Sequence, residues 1–122
     1  MSFDCREYLE VAKYLAGFQN SGFSEEAVYR SSVSRAYYAA FCWARNYSQK
    51  CLGFEPKEKY QDHKLLREHL QKIDQEWVKI AHNLNTLRKW RNKCDYENSV
   101  ENLSFIVKQS IRLSSEIIDK CK

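Results

Sequence analysis

A short polar segment near residue 90 carries the side chains best suited to chemistry. In the stretch RNKCDYE, residues 91–97, Arg91, Asn92 and Asp95 lie beside the aromatic Tyr96. A guanidinium group binds phosphate through parallel hydrogen bonds, and a nearby carboxylate can orient that guanidinium. The stretch therefore indicates a phosphate-binding site, and these four residues are the candidates for its chemistry.

Other basic residues are candidates for binding RNA or a nucleotide. They are Arg88, Lys89 and Lys93 in the same segment, and Arg35 earlier in the chain. At 3.6 residues per turn, Arg88, Arg91 and Asp95 continue the inward face of an apolar helical stripe, whereas the two lysines point away. The alternative is that Arg91 and Asp95 form an ordinary surface ion pair, which contributes about 0.2–0.5 kcal/mol.

The elements that would position these residues are predicted to be helices. The 122 residues include three Gly and one Pro, too few for the many turns of a β protein. Apolar residues recur at helical spacing in five segments: about 5–18, 24–52, 62–73, 74–94 and 98–118. Because short connections favour antiparallel neighbours, we predict an all-α up-and-down bundle of about five helices, in one domain spanning residues 1–122.

The starts of four of these helices are predicted from their capping residues. Asp4 and Asn98 are each followed three residues later by Glu, the pattern of a capping box. Ser24 and Asp74 precede acidic residues, which the positive end of a helix favours.

The second helix is apolar on two sides over residues 36–44. Tyr38, Ala39 and Cys42 project opposite the main stripe. A helix with two apolar faces is buried on both, either inside the bundle or against a second copy of the chain. We therefore predict a homodimer with these three residues at its interface, and packing within one chain is the alternative.

Composition limits the other functions. Five cysteines without a Cys-x-x-Cys pair favour reduced thiols and a cytoplasmic location. No Cys and His stand at ligand spacing, so neither a metal nor a cofactor is predicted. The longest apolar run has nine residues, against about 20 for a membrane span, and the first ten residues lack the apolar core of a signal peptide. The net charge of +4 permits an anionic partner.

Three stretches resemble one protein family. SSVSRAYYAAFCWAR, residues 31–45, resembles the S-R-x-Y-Y-A-x-F helix of small prokaryotic HEPN domains. LRKWRNKCDYE, residues 87–97, resembles the R-N-K-A-D-Y stretch of one branch of that family, and DHKLL, residues 62–66, is similar to the His-containing helix start between them. The resemblance covers residues 5–120 and implies a helical bundle that dimerises.

The resemblance also implies a function. Many HEPN domains are metal-independent RNases, and many small ones are encoded with a minimal nucleotidyltransferase as toxin and antitoxin. Their catalytic signature is an Arg, often followed by a polar residue, with a His four to six residues beyond it. Arg91 and Asn92 match its first part, whereas Asp95, Tyr96 and Glu97 stand where that His would be. Tyr96 can donate a hydrogen bond, but a phenol is a poor base at neutral pH.

Three functional hypotheses follow. The first, which we prefer, is an RNA-directed HEPN component of a toxin–antitoxin or defence pair. The second is a non-catalytic relative that binds a nucleotide or docks a nucleotidyltransferase. The third is a helical dimerisation module whose polar stripe is structural.

Overall fold

The computed structural model describes residues 3–17 and 24–122, and these residues form five helices. They are α1 (Arg6–Ala16), α2 (Glu25–Cys51), α3 (Asp62–Gln71), α4 (Gln75–Tyr96) and α5 (Leu103–Lys120). The long helix α2 contacts each of the other four, and α4 packs between α2, α3 and α5. The prediction of an all-α bundle of about five helices is confirmed. The predicted end of the first helix, at Phe18, lies outside the described residues.

Two of the predicted caps are confirmed. The Ser24 hydroxyl accepts a hydrogen bond from the backbone N–H of Ala27 at 3.1 Å, at the start of α2. The Asp74 carboxylate accepts one from the N–H of Trp77 at 3.1 Å, at the start of α4. Both side chains satisfy a donor that the first turn of a helix leaves without a partner.

The other two capping predictions are wrong. The Asp4 carboxylate accepts hydrogen bonds from the backbone N–H and the guanidinium of Arg6, which compete with the predicted bond to the helix. The backbone carbonyl of Asn98 accepts a hydrogen bond from Arg30 and stays in the connection. Helix α5 instead begins after Asn102, which takes the left-handed conformation with φ of 57°.

The main core lies where α2, α3, α4 and the C-terminal half of α5 meet. The predicted apolar stripe of α4 is buried as expected: it consists of Trp77, Ile80, Ala81, Leu84 and Leu87. Leu66 and Leu70 of α3 are fully buried against it. The predicted third helix extends to residue 73, but α3 ends at Gln71 and Ile73 is exposed. The apolar stripe thus anchors the helix whose last two turns carry the candidate site.

The second apolar face of α2 is covered by the same chain. Ala39 has an exposure of 0% and packs with Leu9 of α1 and Ile118 of α5. The assignment of Ala39 to a dimer interface is therefore corrected, because a second copy cannot reach it while the bundle is closed. Tyr38 and Cys42 are half-buried. Homodimerisation itself stays a prediction.

Cys5 and Cys42 form a disulfide, so the prediction of five thiols is corrected. Their Cα atoms lie 5.7 Å apart, and the bond joins the start of α1 to the middle of α2. The two residues are 37 positions apart, and this spacing carries no local signal in the sequence. Cys51, Cys94 and Cys121 are free. None of the described helices has both the length and the apolar character needed to cross a membrane.

Candidate functional site

Arg91 lies one turn before the end of α4 and is held by three side chains. Its Nε atom lies 2.9 Å from the Asp95 carboxylate, an ion pair that is not aligned as a hydrogen bond. Its Nη1 donates to the Asn92 side-chain oxygen at 3.0 Å, and its Nη2 donates to the Tyr38 hydroxyl at 2.5 Å. The side chains of Arg91 and Asp95 are 20% and 29% exposed, so the pair lies at the edge of the bundle interior.

The ring of Tyr38 connects this pair to Arg35. The guanidinium carbons of Arg91 and Arg35 each lie 5.1 Å from the centre of that ring. Arg35 also lies 5.2 Å from the ring of Tyr8 on α1. A cation near an aromatic face is attracted by the ring electrons. Arg35 and Arg91 therefore share one aromatic partner, and their assignment to one binding site stays a prediction.

Two further arginines, Arg67 and Arg88, lie near Arg91. We refer to these three residues as the arginine cluster. Arg67 lies on α3, and its Nη1 donates to the backbone carbonyl of His63 at 2.8 Å. Arg88 lies one turn before Arg91 on α4, and its buried Nε has no acceptor among the described residues. Among the described residues, Asp95 is the only carboxylate in ion-pair contact with the arginine cluster.

The arginine cluster faces a hydrogen-bonded pair formed by Tyr37 and His63. The Tyr37 hydroxyl bonds to Nδ1 of His63, and Phe41 stacks on the His63 ring with 3.9 Å between ring centres. Burial, and then the positive charges of the cluster, lower the pKa of His63 to about 4, so its imidazole is neutral at pH 7. Burial raises the pKa of Tyr37, which keeps the phenol neutral too.

The carboxylate nearest His63 in sequence serves another purpose. Asp62 is buried, and its two oxygens accept hydrogen bonds from the backbone N–H groups of Lys57 and Glu58 at 2.8 and 2.9 Å. It therefore stabilises the loop before α3 and forms no ion pair with the arginines. Burial lowers the pKa of Arg67, and the nearby charge of Arg88 lowers it further, because both disfavour the charged form of a guanidinium.

An open pocket of about 440 Å³ lies over this part of the cluster. Arg67, Arg88 and His63 line it together with Tyr60 and the side chains of the first turns of α3. Planar guanidinium groups around a neutral pair provide donors for an oxyanion such as phosphate. The geometry therefore favours an anion as the ligand of this pocket.

Several predicted residues lie outside the cluster. Lys89 and Lys93 are exposed on other faces of α4, as their helical positions predicted, and their assignment as binding residues stays a prediction. Tyr96 is 75% exposed at the end of α4, whereas the oxygen of Asn92 is occupied by Arg91. Of the four residues assigned to chemistry, Asn92 and Asp95 therefore both contact Arg91.

Sequence reasoning missed the contributions of α3 and of Tyr37. Arg67 was not singled out, and His63 was included only in the DHKLL stretch without a role of its own. The available signal was their spacing of four residues, which puts both side chains on one face of α3. That face meets the site only because α3 packs against α4.

Among residues 3–17 and 24–122, no group of three His, Cys, Asp or Glu side chains is arranged to hold a metal ion. Comparison with protein-family models, with curated proteins and with solved structures finds no match for this chain.

Proposed function

We propose that the protein is an RNA-directed, HEPN-type component of a toxin–antitoxin or defence pair, and that it binds RNA phosphate groups through the arginine cluster. The observation that carries this proposal is that Arg67 and Arg88 line one open pocket, and among the described residues no carboxylate is in ion-pair contact with either guanidinium. Guanidinium groups without a carboxylate partner are suited to bind the oxygens of a phosphate.

The side chains of the arginine cluster are also ordered before a phosphate binds. Arg91 is fixed by Asp95, Asn92 and Tyr38, and Arg67 is fixed by the carbonyl of His63. Side chains that are already ordered lose less conformational entropy when they bind. The arrangement therefore favours binding of a phosphate over a purely structural role for the arginines.

The resemblance to HEPN domains supports the same proposal. The helix with the Y-Y-A pattern is α2, and the R-N-K-x-D-Y pattern ends α4. The hydrogen bond from Arg91 to Tyr38 joins these two stretches. On this basis we propose a homodimer and a minimal nucleotidyltransferase as partners, and a cytoplasmic location.

Cleavage of the bound RNA is a second candidate function. The position of His63 supports it, because this imidazole lines the pocket beside Arg67 and Arg88, whose guanidinium groups can stabilise the charge that develops on a phosphate. The alternative is a non-catalytic protein that binds a nucleotide or docks a nucleotidyltransferase. The contacts of Arg91 favour that alternative, since they occupy the side chains of Asn92 and Asp95.

Binding of a labelled RNA oligonucleotide at two salt concentrations tests the proposal. We expect Arg88→Ala to weaken binding about tenfold and to lower the slope of log K against log salt by about 0.7, the value for one phosphate contact of a single strand. Lys79→Ala is the matched control, because it removes the same charge from an exposed position on α4. Equal effects of the two substitutions would contradict the proposal.

A cleavage assay in a chelator separates the catalytic from the non-catalytic form of the proposal. If His63 transfers a proton, His63→Gln should abolish cleavage while RNA affinity stays within about twofold. Growth of cells that express the protein provides a second readout. RNA that is bound but stays intact with the unmodified protein would support the non-catalytic alternative.

A further inference from the structure

A second cleft lies on the other side of His63 from the arginine pocket. Its volume is about 760 Å³, and it lies between the start of α1, the middle of α2 and the loop before α3. Tyr38, Tyr60 and His63 line it with aromatic rings, and Asn46 and Gln49 contribute amide groups. Its lining therefore combines flat apolar surfaces with groups that both donate and accept hydrogen bonds.

The two cavities are adjacent. Tyr60 and His63 line both of them, so one ligand can extend from the aromatic cleft to Arg67 and Arg88. The ring of His63 is fixed between the Tyr37 hydroxyl and the ring of Phe41. Tyr60 is 82% exposed, so its ring is accessible to a ligand.

We propose that this cleft binds one unpaired nucleobase, which stacks on Tyr60 while its adjoining phosphate is held by Arg67 and Arg88. The proposal rests on the proposed function and specifies its substrate as single-stranded RNA. In a duplex each base is stacked and paired, so its face is unavailable to a tyrosine ring. An unpaired base offers its face for stacking and its edge for hydrogen bonds to the Gln49 amide.

An anion smaller than a nucleotide would occupy only part of the site. Inorganic phosphate would engage the arginine pocket and leave the aromatic cleft unused. A free mononucleotide has the same base and phosphate as one RNA residue, but it lacks the neighbouring phosphates of a strand. A base with its phosphate can thus come from an RNA strand or from a free nucleotide, and competition between these two ligands is part of the test.

The experiment compares three labelled RNA probes of equal length at one salt concentration. They are a single strand, its duplex, and a strand in which the sugar–phosphate backbone is intact but the bases are removed at several positions. We expect the single strand to bind at least tenfold more tightly than the other two. Tyr60→Ala should weaken binding of the single strand about tenfold and leave the other two probes unchanged, because stacking is lost only where an unpaired base occupies the cleft.

Tyr14→Ala is the control variant. It removes a tyrosine that is 65% exposed on α1 and that does not line either cavity, so RNA affinity should stay unchanged. Circular dichroism checks that both variants keep the helical content of the unmodified protein.

The outcomes separate this inference from the proposed function. Equal affinity for the single strand and the duplex, or an unchanged affinity of Tyr60→Ala, overturns the base-binding cleft while the phosphate-binding proposal stands. Displacement of the single strand by an equal concentration of a nucleoside 5′-monophosphate assigns the cleft to a free nucleotide and overturns the assignment to RNA. If the unmodified protein binds none of the probes, both proposals are overturned.

Discussion

Acidification from pH 7 to pH 4 should destabilise the fold through one residue, His63. Its pKa is about 4 in the folded chain, against an ordinary value of 6.5, because of burial and then the charges of Arg91, Arg67 and Arg88. The folded state therefore binds a proton less readily than the unfolded state. The stability that His63 contributes is complete above pH 6.5 and is lost as the pH falls through about 4.

The groups around His63 determine the size of this effect. They are Tyr37, Tyr38 and Phe41 from α2, Asp62 and Arg67 from α3, and Arg88 and Arg91 from α4. Asp62 opposes the shift, whereas the three arginines support it. The full difference in pKa corresponds to about 3 kcal/mol. Because His63 is only half-buried and solvent screens its charge, we expect about 1–2 kcal/mol.

Urea unfolding followed by circular dichroism at pH 7, 6, 5 and 4 measures this contribution. The informative quantity is the free energy of unfolding of the unmodified protein minus that of His63→Gln. Titration of the carboxylates contributes equally to both and cancels. The difference should decrease by about 1–2 kcal/mol between pH 7 and pH 4. His82→Gln is the control, because His82 is exposed on α4.

A constant difference between the unmodified protein and His63→Gln across this range would refute the reasoning. It would mean that His63 is protonated as easily in the folded chain as in the unfolded one. A similar pH dependence for His82→Gln would show that the effect is not specific to the arginine cluster.

Three further predictions concern the bundle itself. Ser24→Ala should lower the free energy of unfolding by about 1 kcal/mol, because the cap of α2 is lost; an unchanged value in urea would contradict that cap. Leu66→Ala should lower it by about 2–5 kcal/mol, because Leu66 is fully buried; a loss below about 1 kcal/mol would contradict its place in the core. Denatured protein without reductant should release three thiols, those of Cys51, Cys94 and Cys121; five would contradict the disulfide.

The local elements could be predicted because their causes lie within one or two turns. Ser24 and Asp74 cap helices by bonding to an N–H three residues ahead. The ion pair between Arg91 and Asp95 follows from the rise of one helical turn. Where local prediction was wrong, at Asp4, the carboxylate accepts hydrogen bonds from the backbone N–H and the guanidinium of Arg6 instead of the predicted donor three residues ahead.

Half of the candidate site could be predicted in the same way. Arg88, Arg91 and Asp95 continue the stripe of α4, so their common face was visible in the sequence. Their surroundings were not, because Tyr38 is 53 residues away from Arg91 and reaches it only when α2 and α4 pack together. The same packing explains the two apolar faces of α2, which α1 and α5 cover within one chain.

The sequence by itself therefore determined the helices, their apolar stripes and the charged end of α4, since these depend on backbone hydrogen bonds and helical periodicity. Only the tertiary structure placed Arg67 and His63 beside that charged end, and joined Cys5 to Cys42. Both outcomes depend on which helix faces pack together. Contacts between residues far apart in the chain determine which faces pack together, and no short stretch of sequence encodes those contacts.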